Sequence, residues 1–176
     1  MCTRPLTDTR PKSLLPLGEA TLLKRTMATS RAVPDRFIVV VGYRGEEVEA
    51  ALGDAFEGIP IEFVTQAEPA GTADAVGQVA ELVSERFLVL NGDLVFDASV
   101  VDEMADASAS AIAVRSVDDP SQYGVVDVDG EVVTGIVEKP EDPPSDLVNA
   151  GLYAFEPAVF EAIDRVEPSP RGEYEL

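Results

Sequence analysis

Asn91-Gly92-Asp93 follows four uninterrupted apolar residues, Phe87-Leu88-Val89-Leu90. Such a run without alternation suits a strand buried on both faces. Asp93 then sits just past the strand's carboxyl end, the edge at which open α/β sheets bind ligands. A carboxylate there could hold a hard divalent cation such as magnesium. Asn-Gly-Asp is equally an ordinary turn after a strand, and the motif alone leaves both readings open.

Other stretches carry similar double meanings. Arg10-Pro11-Lys12 sets two cations around a rigid proline, and Lys12 could act as a mobile charge on phosphates; a solvated basic loop is the alternative. The lysines are Lys12, Lys24 and Lys139, and Lys12 and Lys139 fall in proline-marked loops. Gln66 can donate and accept at once, which suits a base edge. Gly71 would let the backbone approach a ligand, and Thr72 is expected to cap the helix that follows. A capped strand-to-helix turn explains the same residues. Tyr123-Gly124 opens a strand and Glu138-Lys139-Pro140 closes the next; Glu138 could accept sugar hydroxyls and Lys139 could bind a phosphate, or the two form a surface ion pair. Asn149-Ala150-Gly151 begins the last strand with small residues and one amide.

These residues need a frame. Residues 1–18 read as irregular because of Pro5, Pro11 and Pro16. Helix is expected over 20–32, 46–52, 71–84, 99–107 and 157–163. Strands are expected over 37–41, 61–64, 87–90, 111–117, 123–128, 131–138 and 150–155, with a hairpin turn at Asp129-Gly130. Alternation of strand and helix in the first half predicts an α/β, Rossmann-like, doubly wound and mostly parallel sheet. A β-rich second half makes the sheet mixed. The 176 residues, 45% of them hydrophobic, fit a single domain.

Composition narrows the chemistry. With no histidine, histidine bases and histidine-ligated metals are excluded. Cys2 is the only cysteine, which excludes an internal disulfide and a cysteine-based zinc site. Carboxylates, Lys, Arg, amides or a bound ion remain, and phosphoryl or nucleotidyl transfer suits that inventory. A net charge of −20 argues against nucleic-acid binding. Scattered acids and scarce lysine suggest a halophilic cytoplasm. No apolar run approaches a membrane span, and no signal peptide is read at the start of the chain.

In order along the chain, the motifs resemble those of the sugar-1-phosphate nucleotidylyltransferase family, most nearly its glucose-1-phosphate thymidylyltransferase-like members. They are Pro5-Leu6-Thr7 with Arg10-Pro11-Lys12 and Leu15-Pro16-Leu17, Val40-Val41-Gly42-Tyr43, Gln66 with Gly71-Thr72-Ala73, and Asn91-Gly92-Asp93. Tyr123-Gly124-Val125, Glu138-Lys139-Pro140, Asn149-Ala150-Gly151 and Arg171-Gly172-Glu173-Tyr174 complete the set. The resemblance implies attack by a sugar-1-phosphate oxygen on the α-phosphorus of a nucleoside triphosphate, with pyrophosphate leaving and no general base.

It implies that Lys12, with Arg10, neutralises the phosphates, that Gln66, Gly71 and Thr72 bind the nucleotide, and that Asp93 holds Mg2+. Tyr123, Gly124, Glu138 and Asn149 would line the sugar pocket, and Lys139 would hold the sugar phosphate. The expected substrates are dTTP and glucose-1-phosphate. Alternatives are UTP with N-acetylglucosamine-1-phosphate, guanylyl transfer to mannose-1-phosphate, or a non-catalytic nucleotide-binding homologue. Self-association into a homo-oligomer is left open. Against the family pattern, Met1-Cys2-Thr3-Arg4 stands where a first strand and a Gly-x-Gly-Thr-Arg loop are expected, and the second metal carboxylate would lie beyond Leu176. The expectation is a domain incomplete at both ends and inactive as written.

Overall fold

The computed structural model describes residues 10–169 and 172–176. The expectations placed on Met1 to Lys12's leading segment, including Cys2 and Pro5-Leu6-Thr7, and on Arg171 lie outside the described residues, as far as Thr9 at the front. A 3-10 turn, Lys12–Leu14, leads to β1 (Pro16–Leu17) and β2 (Ala20–Thr21), then α1 (Leu22–Ser30). Next come β3 (Phe37–Val41), α2 (Gly45–Leu52), β4 (Ala55–Phe56), β5 (Ile59–Thr65) and α3 (Thr72–Gly77). The second half holds β6 (Phe87–Leu90), α4 (Ala98–Ala105), β7 (Ala111–Ser116), β8 (Gly124–Asp129), β9 (Val132–Glu138), β10 (Leu147–Phe155) and α5 (Val159–Ile163).

The architecture is α/β with mixed pairing. β3 and β5 run parallel, while the other ladders among the described residues are antiparallel. The first sheet has the order β3-β5-β4, and the second runs β6-β10-β8-β9 with β7 also on β10. The hairpin falls where Asp129-Gly130 placed it: Asp129 pairs with Val132, and Gly130 takes φ +63°, which glycine adopts without strain.

Apart from the two-stranded β1–β2 ribbon, each of these two larger sheets has its own apolar cluster. Leu14, Leu23, Met27, Val41, Val48, Leu52 and Ile61 pack under the first sheet. Val101, Met104, Leu152 and Ala154 pack under the second. Helix α1 joins the two halves. Its Leu23 and Met27 belong to the first cluster, the Thr26 hydroxyl donates to the Leu94 carbonyl, and α1 also packs on α4.

Three expectations change. Strand β6 is half-buried along its length instead of buried on both faces. Among the described residues it is bonded to β10 alone, as β3 is to β5 alone, so each has one edge with no described partner. Helix α1 is shorter than 20–32 because Ala20 and Thr21 pair with Leu17 and Pro16, and Thr21 caps the helix through Lys24 N–H. Helix α3 stops at Gly77 instead of reaching Ser84. Glycine is a poor helix former, and the chain continues to Leu82 through the tighter bonds Ala80 N–H to Gly77 and Leu82 N–H to Val79. No helix among the described residues is long and apolar enough to cross a membrane.

Candidate active site

The parallel pair β3 and β5 ends at one edge, and Gln66 stands just past it. Its backbone N–H donates to the Val41 carbonyl at 2.8 Å, which pins the residue to the sheet. The Gln66 side chain turns toward the start of α3. Its Nε2 donates to an Asp74 carboxylate oxygen at 2.5 Å and to the Gly71 carbonyl at 3.3 Å.

Strand β10 forms the opposite wall. Its ladder with β7 is interrupted between Asn149 and Tyr153, a bulge that re-aims side chains. Gly151 sits inside it at φ +74°, and an added Cβ would lie 2.5 Å from Asn91 Nδ2. The Asn91 N–H donates to the Gly151 carbonyl at 2.9 Å, so the end of β6 is sewn to the bulge. Asn149 is held at both ends of its amide: Oδ1 accepts from Gly151 N–H at 2.8 Å, and Nδ2 donates to the Tyr153 hydroxyl at 2.5 Å. Burial pushes the Tyr153 phenol up; the Asn149 bond opposes this and the Glu138 charge adds to it.

Between these walls lies a cavity of about 550 Å³. Gln66, Gly71 and Thr72 line it from one side, and Tyr123, Gly124, Glu138 and Asn149 from the other. Residues that the sequence places in two distant groups therefore share one space. Gly124 pairs with Glu138 across the β8–β9 ladder, and a Cβ at Gly124 would come within 3.1 Å of Glu138 Oε2. The Arg115 guanidinium lies 5.2 Å from the centre of the Tyr123 ring, a cation–π contact that steadies the ring.

Arg10, Lys12, Asp93 and Lys139 are not among that lining. Lys12 Nζ and the Asp93 carboxylate form an ion pair with each other. Asp93 is two residues beyond Asn91, which does line the cavity. Lys139 pairs with its neighbour Glu138, and its N–H donates to the Tyr123 carbonyl at 2.9 Å. Arg10 is exposed at the start of the described chain.

Two local expectations are corrected. Thr72 does not cap α3; Gly71 occupies the cap position, and the Thr72 hydroxyl accepts from Leu176 N–H at 3.0 Å. The space beside Gly71 is filled by the chain's own last residues, since an added Cβ would lie 2.2 Å from the Tyr174 carbonyl oxygen. Tyr174 bridges the loop as an extra strand would: its N–H donates to Ala70 at 2.7 Å and its carbonyl accepts from Ala73 at 2.8 Å. Sequence reasoning also passed over Asp74, Arg115 and Tyr153. Asp74 carried only the ordinary signal of an acid in the first turn of a helix; Arg115 carried none.

Among the described residues, no cluster of three or more acids that could enclose a metal ion exists. Asp93 is instead a lone carboxylate, half-buried beside Lys12. That donor set fits magnesium, which is commonly held by one or two carboxylates with substrate phosphates and water completing its shell.

Residues 3–176 match the family model described as Nucleotidyl transferase. The chain is 38% identical to the low-salt glycan biosynthesis nucleotidyltransferase Agl11 of Haloferax volcanii, over 98% of this chain and 51% of that protein. It is 37% identical to the UTP–glucose-1-phosphate uridylyltransferase AglF of the same organism, over 98% of this chain and 74% of that protein. Identity to the bifunctional protein GlmU of Methanocaldococcus jannaschii is 36%, over 98% of this chain and 41% of that one. A Bacillus anthracis structure described as a glucose-1-phosphate thymidylyltransferase superposes with a TM-score of 0.79 at 27% identity, covering 96% of this chain and 72% of that one. A UDP-glucose pyrophosphorylase bound to UDP-glucose superposes with a TM-score of 0.80 at 21% identity, covering 98% and 78%, and speaks for the fold alone.

Proposed function

Because the chain belongs to the nucleotidyl transferase family, we propose that it carries out, or forms part of an enzyme that carries out, transfer of a nucleotidyl group from a nucleoside triphosphate to a sugar-1-phosphate. One observation supports this most. Gln66 and Thr72, suited to a nucleotide, line the same cavity as Tyr123, Glu138 and Asn149, suited to a sugar. A site for joining two substrates needs both sets in one space.

The sugar-1-phosphate oxygen is already an anion. It attacks the α-phosphorus, the bond from that phosphorus to the bridging oxygen breaks, and pyrophosphate departs with the electron pair. No proton has to be removed, which agrees with a chain without histidine. In this reading Lys12 and Arg10 offset the charge on the triphosphate, and Lys139 holds the sugar phosphate. Glu138 accepts from sugar hydroxyls, and the remaining Nδ2 hydrogen of Asn149 donates to one. Asp93 would hold magnesium, which when bound neutralises phosphate charge. Lys12 and Asp93 would part for this, each turning from the other to a phosphate or an ion.

Glucose-1-phosphate is the favoured acceptor, with dTTP or UTP as donor. The resemblance of residues 123–153 to thymidylyltransferase-like proteins supports thymidylyl transfer, and the name of the Haloferax volcanii relative at 37% identity supports uridylyl transfer. A non-catalytic, nucleotide-binding role is favoured by one feature, the mutual neutralisation of Lys12 and Asp93.

The test combines calorimetric binding with pyrophosphate release, using UTP, dTTP and GTP with glucose-1-phosphate, N-acetylglucosamine-1-phosphate and mannose-1-phosphate. Release that requires both substrates supports transfer. Binding of nucleotide without release supports the non-catalytic role. A chain that binds neither nucleotide nor sugar phosphate refutes both.

A further inference from the structure

An amide side chain can face a ligand with its oxygen or with its nitrogen, and the two ends read opposite chemistry. At Gln66 the choice is made by Asp74. A carboxylate only accepts, so the end of Gln66 that meets Asp74 at 2.5 Å has to be the NH2 group. The Gly71 carbonyl, also only an acceptor, takes the same group at 3.3 Å. Both Nε2 hydrogens are therefore engaged, and Oε1, which accepts from no described residue, remains for whatever enters the cavity that Gln66 lines. Asp74 is itself steadied by Gln78, whose Nε2 donates to its other oxygen at 3.4 Å. The backbone of Gln66 is fixed on Val41, so the whole side chain is set between two anchors.

We infer that Asp74 is a positioning residue that orients the Gln66 amide, so that the site accepts nucleotide bases carrying a ring N–H and disfavours those with a bare ring nitrogen. This deepens the proposed function and rests on its reading of Gln66 as the base contact. Uracil and thymine present N3–H and guanine presents N1–H, each a donor to Oε1. Cytosine N3 and adenine N1 are acceptors and would face an acceptor. UTP and CTP give the sharpest comparison, since they match in size and sugar and differ at this edge. A site built around one hydrogen bond rejects the analogue that leaves it unmade.

The experiment measures UTP and CTP affinity by calorimetry on the full chain with magnesium present. Wild type should favour UTP by about tenfold or more. Asp74→Asn, which can donate as well as accept, frees the Gln66 amide to turn over, and the preference should fall to within about threefold. Combining Gln66→Glu with Asp74→Asn restores a donor at position 74 and an acceptor toward the cavity, and the preference for UTP should return. A purely structural role for Asp74 would not produce that rescue.

If Asp74→Asn keeps the wild-type preference while Gln66→Leu abolishes it, Asp74 does not orient the amide and the inference fails alone. If Gln66→Leu binds UTP as wild type does, the base-contact reading fails and carries the inference with it. Should Asp74→Asn not fold, the wild-type chain still decides. Its Gln66 side-chain amide protons, assigned by their absence in Gln66→Leu, should exchange more slowly than those of the exposed Gln122. Equal exchange would overturn the inference.

Discussion

Lys12 and Asp93, far apart in the sequence, form an ion pair two residues beyond Asn91, which lines the cavity. Side-chain exposures of 46% and 27% mean that water still reaches both groups, so the pair is weakly held and open to competition. In the function proposed above, magnesium and a triphosphate would be the competitors, one for each partner. We expect UTP affinity to rise on adding magnesium in the wild type, and to rise about tenfold less in Asp93→Asn. Lys12→Ala should weaken UTP binding with or without magnesium, because a phosphate loses its cation. An unchanged magnesium response in Asp93→Asn would remove that residue from the metal site.

Gly151 holds the bulge of β10 against the end of β6. At φ +74° a side chain is strained, and its Cβ would meet Asn91 Nδ2 at 2.5 Å and Leu94 Cδ1 at 2.8 Å. Gly151→Ala should lower stability by about 1–3 kcal/mol, as backbone strain adds to displaced side chains. Thermal unfolding checks this, with Gly135→Ala as control because nothing lies within 4 Å of its added Cβ. Equal melting temperatures for the two variants would contradict the close packing at the bulge.

Tyr153 gives stability a limit at high pH. Burial first, then the Glu138 charge, raises its phenol above the ordinary value, while the Asn149 bond works the other way. A group whose folded pKa is raised contributes stability that is fully present below the unfolded value, about 10 for tyrosine. That contribution is lost as pH climbs through the folded value. Phenolate absorbance should show one tyrosine titrating later than the rest, and Tyr153→Phe should abolish that late step. Persistence of the step in Tyr153→Phe would reassign it.

The −20 charge should make the chain sensitive to salt. Screening shortens the reach of repulsion from about 30 Å at 0.01 M to about 3 Å at 1 M ionic strength. We expect the melting temperature to rise steadily from low salt to molar potassium chloride. A flat response would mean that the acids are spaced too widely to repel one another.

Local signals made much of this protein legible from its residues. Asp129-Gly130 between alternating strands produces the β8–β9 hairpin, because only a few residue types tolerate that turn. Phe37 to Val41 and Phe87 to Leu90 are strands because β-branched and aromatic runs suit a pleated, packed surface. The motifs around Gln66, Tyr123, Glu138 and Asn149 marked the residues that line the cavity, since turn chemistry at strand ends is written in consecutive residues.

Tertiary structure decided which partner each polar group finds. Thr72 has the composition of a helix cap, yet Leu176 claims its hydroxyl and Gly71 takes the cap position. Gly71 has the freedom to admit a ligand, yet Tyr174 fills the space beside it. Lys12 and Asp93 meet only because α1 and its flanking turn pack beside the end of β6. Such pairings depend on distances between elements that are remote in sequence, and a hydrogen bond or ion pair forms only over a few ångströms. Local pattern carries no term for that distance; the packed chain sets it.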